Sequence, residues 1–356
     1  MDIYVLDGLN GVTDIISTYQ SVIWNCQYFG QNDFQLVVNA STKNVDSLQP
    51  GKLLVRDLDI SGSTYKNVMV IQNYELSFDS EKGWMLTLTG KGLKNDLLKR
   101  RIVWNQTNLT GNAEIGIRQV INDNVISAVD TSRRISGFTL STAKGFTESI
   151  DTQLLGENLA DWLEEICTTY GYGWDVYINN GSYVFDLYKG ADRTYDQNVN
   201  VPVVFSPEFD NLLSSKYVYN VAGYENAALI GGEGEGDSKR TATIGTATGL
   251  DRYEAYIDGS EVSSNGEIIT VSQYLQMLRE YGQTQLDQTA YTKSFSGSID
   301  ADGLYKINQD FYLGDIVQIE NEKGIKATPR IIEVIYAEDE SGSSVVPTFS
   351  DWEVNE

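Results

Sequence analysis

Histidine is absent from this 356-residue sequence. Without it, Ser-His-Asp nucleophile activation, Cys-His pairs and the commonest zinc ligand sets are unavailable, and any catalysis would fall to carboxylates, Lys, Tyr or Ser. Cysteine is nearly absent too: Cys26 and Cys167 stand too far apart for a metal-ligand or redox spacing and define no disulfide framework, so both are expected as reduced core residues. Basic residues are scarce, 26 against 50 acidic, for a net charge of −24. Such a chain repels nucleic acid and anionic membrane, since phosphate adhesion needs Lys and Arg contacts. No apolar run reaches the roughly 18 residues of a membrane span, and Met1-Asp2-Ile3-Tyr4 lacks the basic and apolar regions of a signal peptide. A soluble product made in the cytoplasm is expected.

What is there describes a folded protein. Hydrophobic residues make up 41% and charged residues 21%, and the length fits two or three compact units. With 32 glycines and 22 tyrosines against five prolines, strands joined by tight turns are favoured over long helices. Residues 1–101 read as strands, among them 24–29, 34–38, 52–56, 68–71 and 84–89, at the spacing of a small antiparallel barrel or sandwich. Helical spacing appears over 113–121 and again from Glu157, where Leu159, Trp162, Leu163 and Ile166 recur at intervals of three and four before Gly171. A hairpin follows, 173–178 and 183–188 around Asn179-Asn180-Gly181-Ser182. Strands resume from Val203 through 215–221 and 227–231, a third helix covers 271–282, and strand patterns return at 311–319 and 330–336.

Several motifs invite chemistry. The run Gly231-Gly232-Glu233-Gly234-Glu235-Gly236 resembles a phosphate loop in composition, yet it fails the GxGxxG spacing, has no following Lys-Ser/Thr, and carries two glutamates that repel phosphate. A tightly turning strand connection is the better reading. Glycoside hydrolysis needs only two carboxylates, and Glu164, Glu165, Asp192, Asp210, Asp251 and Glu254 are candidates that nothing in the sequence brings together across a cleft. Asp300, Asp302 and Gly303 hint at a calcium loop but lack its later ligands; Asp-Gly is first a turn. The tyrosines of 217–224 and 253–256 read as strand-face packing rather than a sugar platform.

The order of several phrases carries a resemblance: 94–102 (KNDLLKRRI), 189–194 (KGADRT), 204–212 (VFSPEFDNL), 227–235 (AALIGGEGE), 249–258 (GLDRYEAYID) and 312–317 (YLGDIV). In that order they resemble a family of siphophage tail proteins related to the tail-associated, baseplate-hub-like tail-tip proteins, over about residues 25–350. The resemblance implies an α+β, mainly β fold, phage baseplate-hub-like, with two small β-barrel domains and an α/β domain between them. The division that goes with it is 1–101 for the first barrel, 102–200 plus 252–292 for the α/β domain, and 201–251 plus 293–356 for the second, discontinuous barrel. It further implies a non-enzymatic homotrimer at the virion tail tip, without catalytic, cofactor or metal residues, adapting a sixfold tail ring to a threefold tip around the DNA exit channel. The implied partners are the distal tail ring protein, tail tube, tape-measure protein and downstream tip or receptor-binding proteins, with DNA passing through unbound. Some relatives of the wider group continue into a fibre or hydrolase region, whereas this sequence stops at Glu356, so those activities are expected in partner proteins. Two other readings stand beside it: a cell-wall or glycan hydrolase using paired carboxylates, and a host carbohydrate-binding module.

Overall fold

The computed structural model describes residues 1–264, 269–289, 291–299, 303–324 and 326–350, with the backbone alone for 292–299. The chain divides into two compact units, one formed by Met1–Lys216 with Phe295–Ser350 and the other by Tyr217–Ser294. The fold is mainly β.

The first unit is organised by a sheet that curls into a half-barrel. Along it the order runs Leu212–Asn220, Thr292–Ile299, Gly342–Phe349, Ile331–Asp339, Ser21–Gln27, Asp33–Asn39, Gly83–Gly92, Met69–Asp79, Leu53–Arg56, Ile3–Leu6, Val12–Ile16. Alternation of the residues on these strands sets which face is covered: in Asp33–Asn39 the side chains of Phe34, Leu36 and Val38 are buried, as a half-buried strand requires. Strands from the two ends of the chain meet in the middle of this sheet, where Ile331–Asp339 pairs antiparallel with Ser21–Gln27 from Glu333 opposite Gln27 to Asp339 opposite Ser21.

The segment 94–102, read from the sequence as the close of the strand set, is instead the helix Leu93–Lys99. Leu93, Leu97 and Leu98 recur at helical spacing, and burial of Leu93 and Leu98 holds the turn that local propensity alone leaves open. The strand read over 311–319 is likewise shorter, Ile316–Glu320, because Gly314 takes a positive φ of 97° and turns the chain before it.

Beside the sheet lies an α/β layer. Helix Leu159–Tyr170 starts where the Asn158 side chain accepts the Ala160 and Asp161 amides and ends at Gly171 in the left-handed region. Helix Ala113–Ile121 is capped in the same way by Asn112, which accepts the Ile115 amide. Their apolar stripes, with Ile117, Val120, Leu163 and Cys167, share a core with Trp174, Val176, Phe185 and Leu187 of the hairpin Gly173–Asn179 and Ser182–Tyr188. That hairpin turns at Asn180 and Gly181, both at positive φ, the geometry that matches strand twist. Cys26 and Cys167 are free and buried, and burial pushes the Cys26 thiol up to about 12.

The second unit is a three-stranded sheet, Thr241–Ile244, Ala227–Gly231 and Glu254–Asp258, covered by helix Val271–Asp287. Ala227–Gly231 and Glu254–Asp258, which the sequence-based division assigns to different domains, run parallel in one sheet from Ala227 opposite Glu254 to Gly231 opposite Asp258. The helix begins with a reciprocal cap between Thr270 and Gln273 and buries Tyr274, Leu278 and Leu286 against Ala228, Ile230 and Ala242.

Candidate functional site

In the hairpin of the first unit, inward positions fill the core and outward positions face a cleft of about 380 Å³. Register places Asp175 directly opposite Asp186, and the alternation that sends Asp175 outward sends Tyr177 and Tyr188 to the same face. Like charges directly opposite on paired strands repel. Asp186 is neutralised: the Ser141 hydroxyl donates to it, and the Lys144 ammonium lies 3.0 Å away. Asp175 is half-buried, and burial pushes its carboxyl above the usual carboxylate range, opposed by Lys94 and Lys66 and reinforced by Asp186. It accepts its neighbour's Val176 amide at 2.8 Å.

The rim of the cleft is fixed by ion pairs. The Arg193 Nε lies 2.6 Å from Asp315, and the same buried carboxylate accepts the Ala191 and Tyr312 amides. Lys189 pairs with Glu148, whose carboxyl is held down to about 2 by hydrogen bonds from Lys189 and the Tyr172 hydroxyl. Lys66 makes no ion pair among the described residues, and its ammonium stands 5.8 Å from the Tyr177 ring centroid. Hydrolysis by two carboxylates requires an acid and a second carboxylate free to act as base or nucleophile. In this cleft Asp186 is engaged by Ser141 and Lys144, which leaves Asp175 alone.

The sequence-derived candidates fall elsewhere. Glu164 is half-buried and Glu165 exposed on their helix. Asp192 accepts the Thr194 amide in a local turn, and Asp210 ends a short helical turn at φ 52°. In the second unit Asp251 is exposed, and Glu254 pairs with Arg252 at 2.6 Å. No three of the Asp, Glu and Cys side chains gather as a metal site among the described residues. Asp300 and Asp302 lie outside the described residues.

The glycine run of the second unit is a packing device. A Cβ on Gly232 would stand 2.3 Å from the Tyr274 hydroxyl and 3.0 Å from Leu278, so glycine there lets the strand end lie on the helix. The Tyr274 hydroxyl accepts the Glu233 amide at 2.7 Å, and the Glu233 carboxylate accepts the Ser264 amide at 2.8 Å. These contacts occupy the groups a phosphate would need. The nearby tyrosines meet edge-on, Tyr219 with Tyr291 at 80° and Tyr224 with Tyr253 at 63°, a mutual packing rather than a flat platform.

An exposed apolar surface also marks the first unit. On the hairpin Met69–Asp79 and Gly83–Gly92, Phe78 is 64% and Trp84 55% exposed, with ring centroids 5.4 Å apart; Leu76 is exposed on the same strand.

Residues 2–350 match the family model described as Siphovirus ReqiPepy6 Gp37-like protein. The chain belongs to this family. The Gp37-like chain is similar in structure to the 43 kDa tail protein of prophage MuSo2 from Shewanella oneidensis, at 13% identity and a TM-score of 0.61, with 98% of each chain covered. It is also similar to the tail protein from Neisseria meningitidis MC58, at 14% identity and a TM-score of 0.57, covering 99% of this chain and 96% of that one. A third similarity is to a chain of the half-lidded Francisella PdpA-VgrG complex, at 8% identity and a TM-score of 0.52, covering the whole of this chain and 58% of the other. No curated protein matches. At these identities the likeness is one of fold, and it bears out the tail-protein resemblance carried by the phrases between 94 and 317.

Proposed function

We propose that this Gp37-like protein is a structural hub of the phage tail tip, a homotrimer that adapts the sixfold tail ring to a threefold tip around the DNA exit channel. The observation that carries the reading is the pairing of Ser21–Gln27 with Ile331–Asp339. It sets one strand set from the start of the chain beside another from its end, the arrangement two side-by-side barrels per chain need, and three such chains would offer six near-equivalent surfaces to a sixfold partner. In this reading the first barrel is built from the strands of 1–101 and the second from the late strands of the same sheet, Ile331–Asp339, Gly342–Phe349 and Thr292–Ile299, with the α/β layer of 102–200 beside them.

The partners are the distal tail ring protein, tail tube, tape-measure protein and downstream tip or receptor-binding proteins. The role is assembly rather than catalysis, and the place is the virion tail tip, reached from the bacterial host cytoplasm. The charge of −24 suits a wall past which DNA slides without adhering, and no described helix is long and apolar enough to cross a membrane. The test is the solution mass by light scattering after size exclusion, with and without a distal tail ring protein. A trimer, alone or on the ring, is expected; a monomer under both conditions would overturn the hub.

A further inference from the structure

We propose that the cleft floored by the outer face of the hairpin 173–188 is a binding site for a neutral saccharide. The charges that line it balance, Lys66, Lys189 and Arg193 against Asp175, Asp186 and Asp315, in a chain whose acids outnumber its bases 50 to 26. A cationic occupant would meet Lys66 over the Tyr177 ring at 5.8 Å and Arg193 over the Tyr312 ring at 5.9 Å, so the aromatic faces that would attract it already hold cations. An anionic occupant would meet on the floor the Asp175 carboxyl, which no cation pairs among the described residues, beside an Asp186 already paired with Lys144.

What the cleft offers is hydrogen bonding of both senses. The Asp175 carboxylate has the adjacent Val176 amide as its hydrogen-bond donor, and the Tyr177 and Tyr188 hydroxyls make no hydrogen bond among the described residues. Acceptor, hydroxyls and the Lys66 ammonium therefore alternate over a surface of tyrosine rings. A polyol presents the complement, hydroxyls that donate and accept around apolar C–H faces. A volume of about 380 Å³ lies in the range of small-ligand sites. The floor is preorganised, because the two strands pair in unbroken register from Gly173 opposite Tyr188 to Asn179 opposite Ser182, and Arg193 and Asp315 hold the rim. Little ordering is left for a ligand to impose.

Calorimetric titration of the purified full chain with N,N′-diacetylchitobiose and with maltose, and with spermidine and citrate as charged comparators, tests the assignment. At least one disaccharide is expected to saturate with a dissociation constant of about 1 mM or tighter, and neither comparator to compete. Tyr177→Ala and Asp175→Asn should each weaken binding by roughly tenfold, with melting measured alongside; where Tyr177→Ala fails to fold, Tyr177→Phe, which removes the hydroxyl alone, should weaken binding in the same direction. Glu165→Gln, on the exposed side of its helix, should leave binding unchanged. Absence of saturation by both disaccharides, occupation by spermidine or citrate instead, or binding that survives the substitutions in folded protein would overturn the site. The oligomeric mass of the same samples tests the hub separately.

Discussion

The Arg56 guanidinium carbon lies 3.8 Å from the centroid of the Tyr336 ring, so a residue of the first strand set stacks on one from near the end of the chain. Arg56 is fully buried, its Nε 2.6 Å from Asp59, and Asn67 donates to the other Asp59 oxygen at 2.7 Å. Trp24 and Cys26, on the strand that pairs with Ile331–Asp339, close the surroundings. A buried cation thus sits at the seam between the two ends of the chain.

Removing one member of a buried pair leaves the other charge uncompensated, at a typical cost of about 3–5 kcal/mol. Asp59→Ala is expected to lower the unfolding free energy by that order, and the urea midpoint with it. The double variant Arg56→Met/Asp59→Leu, which removes both charges, should recover a large part of the loss. Urea unfolding of the three proteins checks this; a single variant as stable as the parent would mean that the seam does not depend on the pair.

Lys94 gives the seam a pH dependence. Its ammonium is buried, donating to the carbonyls of Gln27 at 2.8 Å and Trp174 at 3.2 Å, and burial, opposed by Asp175 and Glu164, lowers its pKa from 10.5 to about 8. Between these values the unfolded chain holds the proton that the folded chain has released, so stability rises with pH. Above 9.0 the trend turns, because the Cys26 and Cys167 thiols and, above 10.0, the Tyr172 and Tyr336 hydroxyls, all raised chiefly by burial, stay protonated in the fold while the unfolded chain ionises. Denaturation midpoints measured between pH 8 and pH 9 should climb for the parent and lose Lys94's share of the slope in Lys94→Met; equal slopes would contradict the assignment.

Local order was legible in the sequence where period and punctuation agree. The helix Leu159–Tyr170 has its cap, stripe and stop within one window, and Asn180-Gly181 marks its hairpin. Helix Leu93–Lys99 was missed because its single turn of apolar residues merges with the preceding strand, and burial decides its conformation. The seam was beyond local reading, since Gln27 and Glu333 are hydrogen-bonded across 306 positions and nothing in either strand's alternation names the other. The cleft lay between these cases. Counting outward from Asn180-Gly181 leads in equal steps to Asp175 and Asp186, so that facing pair was accessible from the turn, whereas the closure of the rim by Arg193 and Asp315 depends on a contact across 122 positions.

In the second unit the same kind of close approach carries a local prediction. An added methyl at Gly232 would displace the Tyr274 hydroxyl from the Glu233 amide, an overpacking that typically costs about 1–3 kcal/mol. In Gly232→Ala, hydrogen exchange should quicken in Val271–Asp287 and Ala227–Gly231 while the amides of Ser21–Gln27, in the other unit, keep their protection. Tyr274→Phe should reproduce the direction with a smaller effect, because the ring stays and only the hydroxyl is lost. Unchanged exchange in both variants would show that the glycine run does not secure the helix.

Phe78 and Trp84 test assembly rather than folding. Both are more than half exposed in the single chain, on a hairpin whose partner strand Leu53–Arg56 pairs with Met69–Asp79 only at Met69 and Val70. The ladder continues to Ile71 through Gly51 and Lys52; beyond Ile71 no strand among the described residues pairs with that edge of Met69–Asp79, and free edges invite pairing with another chain. Aromatic side chains in such positions act as anchors when a partner covers them. For the trimer proposed above, Phe78→Ser/Trp84→Ser should therefore leave thermal unfolding of the single chain nearly unchanged while shifting the light-scattering mass of the proposed trimer toward the 39.6 kDa monomer. A variant that still trimerises as fully as the parent would place the subunit contacts elsewhere on the sheet; one that melts early would make the two rings part of the fold, their contact at 5.4 Å serving the hairpin itself.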